Sequence, residues 1–299
     1  MMIIRPSYIL KLIFFCITLA CGISRLLFEF VYHRERLNNN NANIVGSSSM
    51  TTTTTPIQPN KAMYENTNCT LFYIDVGTNI GVQIRKLYEP LHYPNAPVLE
   101  IFDKYFGHSR RSEVCAVGIE LNPSHTTRLN ALEKHYKKNC GYNVKIFTET
   151  AASIREENTT FWSDNQWDNL EWGASTIKTS THVGTKQTVR TMNLARFLQD
   201  EIIPYAKTIV MKLDVEGSEH EILPHLVLSG AICSIDIAFI EIHTGSFSQQ
   251  DIINVQSALA LFPHASGLVG CKTVISLLDD ETFLHDYDCD DANSALNTC

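Results

Sequence analysis

From Cys69 onward, short apolar runs alternate with longer amphipathic segments along the chain. The apolar runs predict strands at residues 71–75, 114–120, 143–147, 208–214, 235–242 and 272–278. The amphipathic segments predict helices at residues 81–87, 122–138, 194–201, 218–228 and 255–262. This alternation favours an α/β fold in which a mostly parallel sheet carries helices on both faces.

Two segments interrupt the alternation. Residues 88–113 contain several prolines and the pair Arg110-Arg111, which is typical of an insertion. Residues 153–186 are mostly polar but contain Trp162, Trp167 and Trp172. These tryptophans could stack against a sugar or anchor an ordinary loop, and the sequence leaves both possibilities open.

The first 36 residues carry a predicted export signal. Residues 8–24 are mostly apolar, and Lys11 is their only charge. A signal anchor that keeps this helix would give a single-pass type II membrane protein, with its domain in the lumen of the Golgi or the endoplasmic reticulum. A signal peptide cleaved near Cys21 would give a secreted protein. Both alternatives export the domain.

Residues 37–66 form a low-complexity segment rich in asparagine, serine and threonine. Such a segment cannot bury a core, so we expect a disordered stem. The folded domain is expected at residues 67–285, followed by an acidic tail, 286–299, that contains Cys289 and Cys299. Sequons at Asn68 and Asn158 are typical of an exported glycoprotein.

Charge and cysteine content narrow the classes of function. The net charge of −8 comes without a basic stripe, which argues against a nucleic-acid partner. The 9 cysteines form no CxxC pair, so zinc-ribbon spacing is absent. Two of them lie in the N-terminal segment, which leaves an odd number for the domain. Cys233 is expected to be a buried free thiol because its neighbours are largely apolar.

The first candidate site is Asp75-Val-Gly-Thr-Asn-Ile-Gly81, directly after the first predicted strand. Gly77 permits a sharp turn, and Gly81 permits the close approach of a ligand or a helix. The spacing differs from GxGxxG, which disfavours a nicotinamide-dependent enzyme. A tight strand–helix turn without a ligand is the structural alternative.

Glu120 ends the second predicted strand. A carboxylate at that position can accept hydrogen bonds from a ribose, as in the dinucleotide-binding folds. It lies 45 residues after Asp75, rather than about 20, and the insertion at 88–113 accounts for the excess.

The second candidate site is Lys212-Leu-Asp-Val-Glu-Gly-Ser-Glu219. Strand alternation sends the side chains of Lys212 and Asp214 to the same face. Glu216 and Glu219 fall at the start of the next helix, where carboxylates interact favourably with the helix dipole. Together with Glu241, they are candidates for contact with a substrate. A divalent metal at Asp214 and Glu216 is an open alternative, although no metal cofactor is predicted.

The third candidate site is Glu241-Ile-His243, at the end of the strand predicted at 235–242. Histidine titrates near neutral pH and can take a proton from a substrate hydroxyl. His243 and Asp214 are therefore the candidate catalytic bases, and Lys212 could orient Asp214 or the substrate. A purely structural role for His243 is the alternative.

Taken in order, these motifs resemble the FkbM-type methyltransferases. The segments that carry the resemblance are Tyr73-Ile-Asp-Val-Gly-Thr-Asn-Ile-Gly81, Val117-Gly-Ile-Glu-Leu-Asn-Pro123, Gly173-Ala-Ser-Thr-Ile177, Val189-Arg-Thr-Met-Asn-Leu194, Val210-Met-Lys-Leu-Asp-Val-Glu-Gly-Ser-Glu219 and Ile240-Glu-Ile-His243. The resemblance covers roughly residues 70–280. It implies an S-adenosylmethionine-dependent enzyme with a Rossmann-like, class I methyltransferase fold and a seven-stranded, mostly parallel sheet.

The resemblance also implies which residues bind the cofactor. Asp75, Gly77, Asn79 and Gly81 would line its methionine end, Glu120 would hold its ribose, Ala151 would lie beside its adenine, and Thr78 and Asn122 would complete the cofactor site. Family products are typically methyl ethers. The expected reaction is therefore O-methylation of a hydroxyl on a glycan or another acceptor of the secretory pathway. A non-catalytic relative that binds cargo or partners in that pathway is the alternative.

Overall fold

A computed structural model describes residues 68–163, 175–176, 186–243, 248–269, 271, 273–276, 278, 280 and 282. The predicted signal segment, the stem, the acidic tail, Trp167 and Trp172 lie outside these residues. Within the described ranges, which begin at Asn68, no helix combines the length and the apolar character needed to cross a membrane.

The described strands are β1 (Leu71–Val76), β2 (Val114–Ile119), β3 (Val144–Phe147), β4 (Thr150–Ser153), β5 (Asn158–Trp162), β6 (Lys186–Asn193), β7 (Thr208–Leu213), β8 (Ile237–Ile240) and β9 (Val274–Ser276). The main sheet has the order β3-β2-β1-β7-β8-β9, and all of its neighbouring strands are parallel. The strand order reverses beside β1. In open α/β sheets, ligands bind at the carboxyl ends of the strands near such a reversal.

The α/β class and the parallel sheet are confirmed, and the number of strands in the described part of the chain differs from the expectation. The described main sheet has 6 strands instead of seven. The remaining strands form a separate sheet of order β4-β6-β5, in which β4 is parallel and β5 antiparallel to β6. β4 follows β3 after only two residues, so the small sheet adjoins the carboxyl end of the main one.

The described α-helices are α1 (Val82–Tyr88), α2 (Val98–Phe106), α3 (Thr126–His135), α4 (Leu194–Phe197), α5 (Glu219–Leu228) and α6 (Gln249–Val269). π-helical turns extend α3 through Tyr136–Cys140 and α4 through Leu198–Ile202. The segment read as an insertion contains α2, and α6 is longer than expected at both ends.

Alternating residues of β1 face two separate apolar cores. Phe72, Ile74 and Val76 pack on one side, against α4, α5 and α6. Leu71 and Tyr73 pack on the other side, against α1, α2 and α3. Every residue of β1 is buried, which explains why its first four residues, Leu71–Ile74, form a continuous apolar run. Helices therefore cover both faces of the sheet, as expected.

Disulfides link Cys69 to Cys115 and Cys233 to Cys271. The expectation that Cys233 is a free thiol is therefore wrong. The bridge joins the turn before β8 to the segment before β9. Cys233 has apolar neighbours because this turn also contributes Ile232 and Ile235 to the core.

Candidate active site

Asp75, the fifth residue of β1, lies inside the protein. Asp75 lies beside Gly118 of β2 and Lys212 of β7 in the sheet register, and its side chain is fully buried. The Asp75 Oδ1 atom lies 3.4 Å from the hydroxyl of Tyr73. Its Oδ2 atom is buried and has no hydrogen-bond partner among the described residues. A buried carboxylate oxygen without a partner is costly, so a donor or cation supplied by a ligand would stabilise it.

The two glycines of this turn serve packing within the protein. Both have positive φ angles, 83° for Gly77 and 90° for Gly81. A Cβ atom on Gly77 would lie 1.6 Å from the carbonyl oxygen of Asp214, and a Cβ atom on Gly81 would lie 2.5 Å from Leu132 Cδ2. Gly77 thus lets the turn after β1 touch the end of β7, and Gly81 lets α1 begin against α3.

Glu120 joins the turn after β1 to the turn after β2. Its Oε2 atom accepts a hydrogen bond from the backbone N–H of Asn79 at 2.6 Å, and its Oε1 atom accepts one from the N–H of Asn122 at 2.7 Å. A carboxylate has about four lone-pair positions, so each oxygen can accept one more hydrogen bond. We call Asp75, Asn79 and Glu120 the β1–β2 edge.

The remaining predicted cofactor residues lie around this edge. Thr78 Oγ1 donates to the carbonyl of Asp75 at 2.8 Å, which fixes the turn. Asn122 is fully buried and accepts a hydrogen bond from the N–H of Ser124, at the start of the segment that leads into α3. Ala151 lies on β4 and is buried. β4 lies close to Glu120, because the N–H of Thr150 donates a hydrogen bond to the Glu120 carbonyl at 2.9 Å.

Both acidic side chains of the β1–β2 edge resist ionisation. Burial raises the pKa of Asp75 to about 7, although Lys212 acts in the opposite direction. Burial also raises the pKa of Glu120 to about 7, against the hydrogen bonds from Asn122 and Asn79, which lower it. Perturbed carboxyl groups at the carboxyl ends of adjacent strands are typical of a functional site.

The second group of predicted residues follows β7 and β8. Lys212 Nζ lies 2.6 Å from Asp214 Oδ2 and 3.4 Å from the carbonyl oxygen of Gly77. Asp214 N–H donates to the carbonyl of Val76 at 3.0 Å. These contacts bring the second group against the turn after β1. We call Lys212, Asp214, Glu216, Glu219, Glu241 and His243 the β7–β8 edge.

His243 lies among four carboxylates. Its Nδ1 atom is 3.0 Å from Glu219 Oε1. Its Nε2 atom is 3.2 Å from Glu241 Oε1, 3.5 Å from Glu216 Oε2 and 3.9 Å from Asp214 Oδ1. Glu219 is fully buried, and its oxygens also accept the N–H groups of Val215 and Gly217, both at 2.9 Å. Glu219 therefore positions the loop and the histidine ring.

Charge pairing dominates the electrostatics of the β7–β8 edge. Burial acts to lower the pKa of His243, but its hydrogen bonds to Glu219 and Glu241 and the charge of Glu216 raise it to about 11. Burial likewise acts to lower the pKa of Lys212, but Asp214 and Asp75 raise it well above its usual range. Burial raises the pKa of Glu216 to about 7, although the charge of His243 opposes this.

Sequence reasoning missed two residues that hold this edge in place. Ser175 Oγ donates to the carbonyl of Glu216 at 2.5 Å, and Thr176 Oγ1 lies 2.6 Å from Ser218 Oγ. Glu216 has a positive φ of 53°, which is uncommon for a side chain of its kind. Both residues belong to the segment Gly173-Ala-Ser-Thr-Ile177, which contributes to the family resemblance. The residue types of that segment do not indicate which residues they contact.

Comparison with protein-family models matches residues 13–264 to the methyltransferase FkbM domain, which spans most of the chain. The chain belongs to the FkbM methyltransferase family. This confirms the resemblance, and the parallel sheet with helices on both faces is consistent with a Rossmann-like methyltransferase fold. No curated protein and no solved structure gives a significant match.

Proposed function

We propose that this FkbM-family protein is an S-adenosylmethionine-dependent O-methyltransferase. Its acceptor would be a hydroxyl group on a glycan or another molecule of the secretory pathway. Family membership supports methyl transfer in general. The finer proposal depends on one observation, the pair of buried carboxylates at the β1–β2 edge that retain hydrogen-bonding capacity.

The two carboxylates suit the two polar parts of the proposed cofactor. Asp75 Oδ2 has no partner among the described residues and would receive the cationic amino group of the methionine part. Glu120 already accepts two backbone N–H groups and would use its remaining lone pairs for the ribose hydroxyls. Neither group suits a phosphate, because a carboxylate repels it.

When bound, S-adenosylmethionine supplies an electrophilic methyl group on a positively charged sulfur. The chain then has to hold the acceptor hydroxyl and accept its proton. Asp214 is the better placed of the two candidate bases. Its Oδ2 atom is held by Lys212, while its Oδ1 atom faces His243 at 3.9 Å. The surrounding carboxylates raise the pKa of His243 to about 11, so its ring is protonated at neutral pH. In this form it would orient the acceptor instead of deprotonating it.

The disulfides support export of the domain. Bridges such as Cys69–Cys115 and Cys233–Cys271 form and persist in oxidising compartments. We propose that the N-terminal segment anchors the chain in the membrane with the domain in the lumen, and that cleavage of the same segment would secrete it. The sequon asparagine Asn158 is exposed on β5, so it is accessible for glycosylation.

The first test is calorimetric titration of S-adenosylmethionine into the full chain purified in detergent. We expect saturable binding that is at least tenfold weaker in Asp75→Asn, because this change removes the charge but keeps the size of the side chain. The matched control is Asp200→Asn, which neutralises a half-exposed aspartate paired with Arg196 and should bind like the wild type.

The same preparation separates the proposal from its alternative. If it binds the cofactor, incubation with methyl-labelled S-adenosylmethionine and extracted glycans should transfer label to a base-stable ether. A folded protein that binds no cofactor would overturn the proposal. That result would favour a non-catalytic relative that binds cargo or partners.

A further inference from the structure

The orientation of the His243 ring is fixed from one side. Glu219 is fully buried, is held by two backbone N–H groups, and places its Oε1 atom 3.0 Å from His243 Nδ1. The natural donor in this pair is Nδ1–H, because a carboxylate can only accept. A carboxylate that binds one ring nitrogen in this way is the usual support of a metal-binding histidine.

The other ring nitrogen then faces oxygens that cannot donate. His243 Nε2 lies within 4 Å of oxygens from Glu241, Glu216 and Asp214. Because Nε2 and these carboxylate oxygens all offer lone pairs, a positive charge, either a proton or a metal ion, has to lie between them. One proton can bridge Nε2 to only one or two of these oxygens, whereas a metal ion can bind several.

The charge of the surroundings favours an additional cation. A histidine that binds a metal ion has to be neutral. Among the described residues, Lys212 is then the cation paired with this edge, and it faces the four carboxylates of Asp214, Glu216, Glu219 and Glu241. On the adjacent strand, Asp75 is fully buried, acts electrostatically on Lys212 and Asp214, and has an oxygen without a partner among the described residues.

We propose that Asp214, Glu216 and His243 bind a divalent metal ion through one carboxylate oxygen each and the Nε2 atom. Suitable donor atoms of the three residues all lie within 4.8 Å of one another. Lys212 engages Asp214 Oδ2, which leaves Asp214 Oδ1 on the side of His243. The residues come from the loops after two adjacent strands, β7 and β8, so the sheet itself keeps them together.

Two carboxylates and one imidazole select the class of ion. Oxygen-rich sites suit Mg²⁺, Ca²⁺ and Mn²⁺, and an imidazole ligand shifts the preference towards Mn²⁺. Three protein ligands leave coordination positions for two oxygens of an acceptor. A metal there would hold the acceptor and make its hydroxyl more acidic. With the ion bound, His243 gives up its Nε2 proton and Asp214 serves as a ligand, so the ion takes over the orienting role of His243, and Asp214 no longer acts as the base. This chemical role rests on the proposed methyltransferase function, whereas binding of the ion itself does not.

The test uses Mn²⁺ and the full chain after removal of metals with a chelator, without cofactor or acceptor. Electron paramagnetic resonance measures free Mn²⁺ during a titration, and we expect one saturable site per chain. Asp214→Asn and His243→Gln should weaken it at least tenfold. The control His108→Gln removes an exposed histidine that is also paired with a carboxylate, Asp103, and should leave the affinity unchanged.

A second measurement needs no variant and remains valid if a substituted chain fails to fold. Pulsed electron paramagnetic resonance of the wild-type complex should show coupling of Mn²⁺ to an imidazole nitrogen. Mn²⁺ that binds without this coupling, or no saturable binding, would overturn the proposal. Since S-adenosylmethionine binding is measured separately, the metal site can fail while the methyltransferase proposal stands, and the reverse also holds.

Discussion

The β1–β2 edge and the β7–β8 edge stabilise their carboxylates with different partners. Both place buried or partly buried carboxylates at the carboxyl ends of parallel strands. At the β1–β2 edge, Glu120 is held by neutral backbone N–H groups and one oxygen of Asp75 has no partner among the described residues. At the β7–β8 edge, carboxylates are paired with the cationic side chains of Lys212 and His243.

This difference indicates different tasks. Carboxylates held only by neutral N–H groups keep free lone pairs, and their negative charge is not compensated. They are therefore suited to a ligand that supplies hydrogen-bond donors and a positive charge. Carboxylates held by Lys212 and His243 form a network that is already ordered before an organic ligand binds, and the excess of carboxylates in this network favours a metal ion. We infer that the β1–β2 edge is built to bind a cofactor and the β7–β8 edge to position an acceptor.

The largest expected effect comes from Gly77→Ala, since Gly77 is where the two edges meet. The new Cβ atom would lie 1.6 Å from the Asp214 carbonyl oxygen, and the residue has a φ of 83°. Backbone of both turns would have to move apart. We expect a loss of more than about 4 kcal/mol in the free energy of unfolding, measured by denaturant titration of the oxidised protein.

The matched control for this change is Gly141→Ala. Gly141 also has a positive φ, 73°, but a Cβ atom there would meet nothing within 4 Å. The expected loss is only the conformational cost of about 1–2 kcal/mol. Equal losses for the two variants would mean that contact between the edges contributes nothing.

Glu219→Ala tests how the β7–β8 edge is held. The change removes a buried carboxylate that accepts the N–H groups of Val215 and Gly217 and orients His243. Removing one partner of a buried charge pair costs about 3–5 kcal/mol, and we expect a loss in that range. Cofactor affinity of the protein that remains folded should be largely preserved, because the β1–β2 edge is untouched.

The neighbouring residue provides the control. Glu221 lies on the same helix, α5, but its side chain is 57 % exposed. Glu221→Ala should change the free energy of unfolding by no more than about 0.5 kcal/mol. If Glu219→Ala were equally mild, its interpretation as a positioning residue would be wrong.

Glu120→Gln tests the β1–β2 edge in the same way. A glutamine has only one acceptor oxygen, so its NH₂ group would face one of the two backbone N–H donors, of Asn79 or Asn122. A hydrogen bond to a charged group contributes about 1.5–3 kcal/mol, so we expect S-adenosylmethionine to bind about 10- to 100-fold more weakly in calorimetry. Mn²⁺ affinity at the β7–β8 edge should be unchanged. An effect on Mn²⁺ alone would contradict the division of tasks.

Changing the pH should sharpen the comparison without any substitution. Burial raises the pKa of Glu120 to about 7, and a ribose that donates hydrogen bonds would bind its ionised form. Ionisation of Glu120 alone should therefore raise the affinity about tenfold between pH 6 and pH 8, with a plateau above pH 8, and a second group of the same pKa would multiply this factor. Asp75, whose pKa is also raised to about 7 by burial, acts in the same direction. Lys212 and Asp214 are the charges that act on both groups.

Stability of the ligand-free protein should respond in the opposite direction. The folded-state pKa of Glu120 lies above its ordinary value, so the folded chain holds the proton more tightly than the unfolded chain. This contribution is fully present below the unfolded pKa and is lost as the pH rises through about 7. Calorimetric affinities and denaturant midpoints measured at pH 6, 7 and 8 would check both signs. Glu120→Gln should remove the contribution of Glu120 to the pH dependence of both cofactor affinity and stability.

The sequence predicts that the residues of the β1–β2 edge lie close together, because its signals are local. Asp75, Gly77 and Glu120 each follow an apolar run, and the ends of adjacent parallel strands meet. The sequence predicts a sharp turn at Gly77 and a close approach at Gly81, but it does not identify the residues that these glycines contact. Gly77 and Gly81 pack against Asp214 and Leu132, which are far away in sequence, and no local pattern reports such contacts.

The β7–β8 edge was only partly predictable for the same reason. The spacing of Lys212 and Asp214 predicts their common face, but not that His243 would reach Glu219 across two loops. Cys233 shows the limit most clearly. Its apolar neighbours account only for its partial burial against the core, whereas its bridge to Cys271 depends on how β8 and β9 pack.

The smallest expected effect comes from Ser175→Ala, which removes the hydrogen bond that Ser175 donates to the carbonyl of Glu216. We expect a loss of about 1 kcal/mol in stability and Mn²⁺ binding weakened about fivefold, because Glu216 has a φ of 53° and loses part of its support. The control Ser229→Ala removes a similar hydroxyl–carbonyl hydrogen bond at the other end of α5. It should cost similar stability but leave Mn²⁺ affinity intact. S-adenosylmethionine affinity should stay within about twofold of wild type in both variants. If Ser175→Ala weakened cofactor binding instead, the two edges would share one support, and the division between them would have to be abandoned.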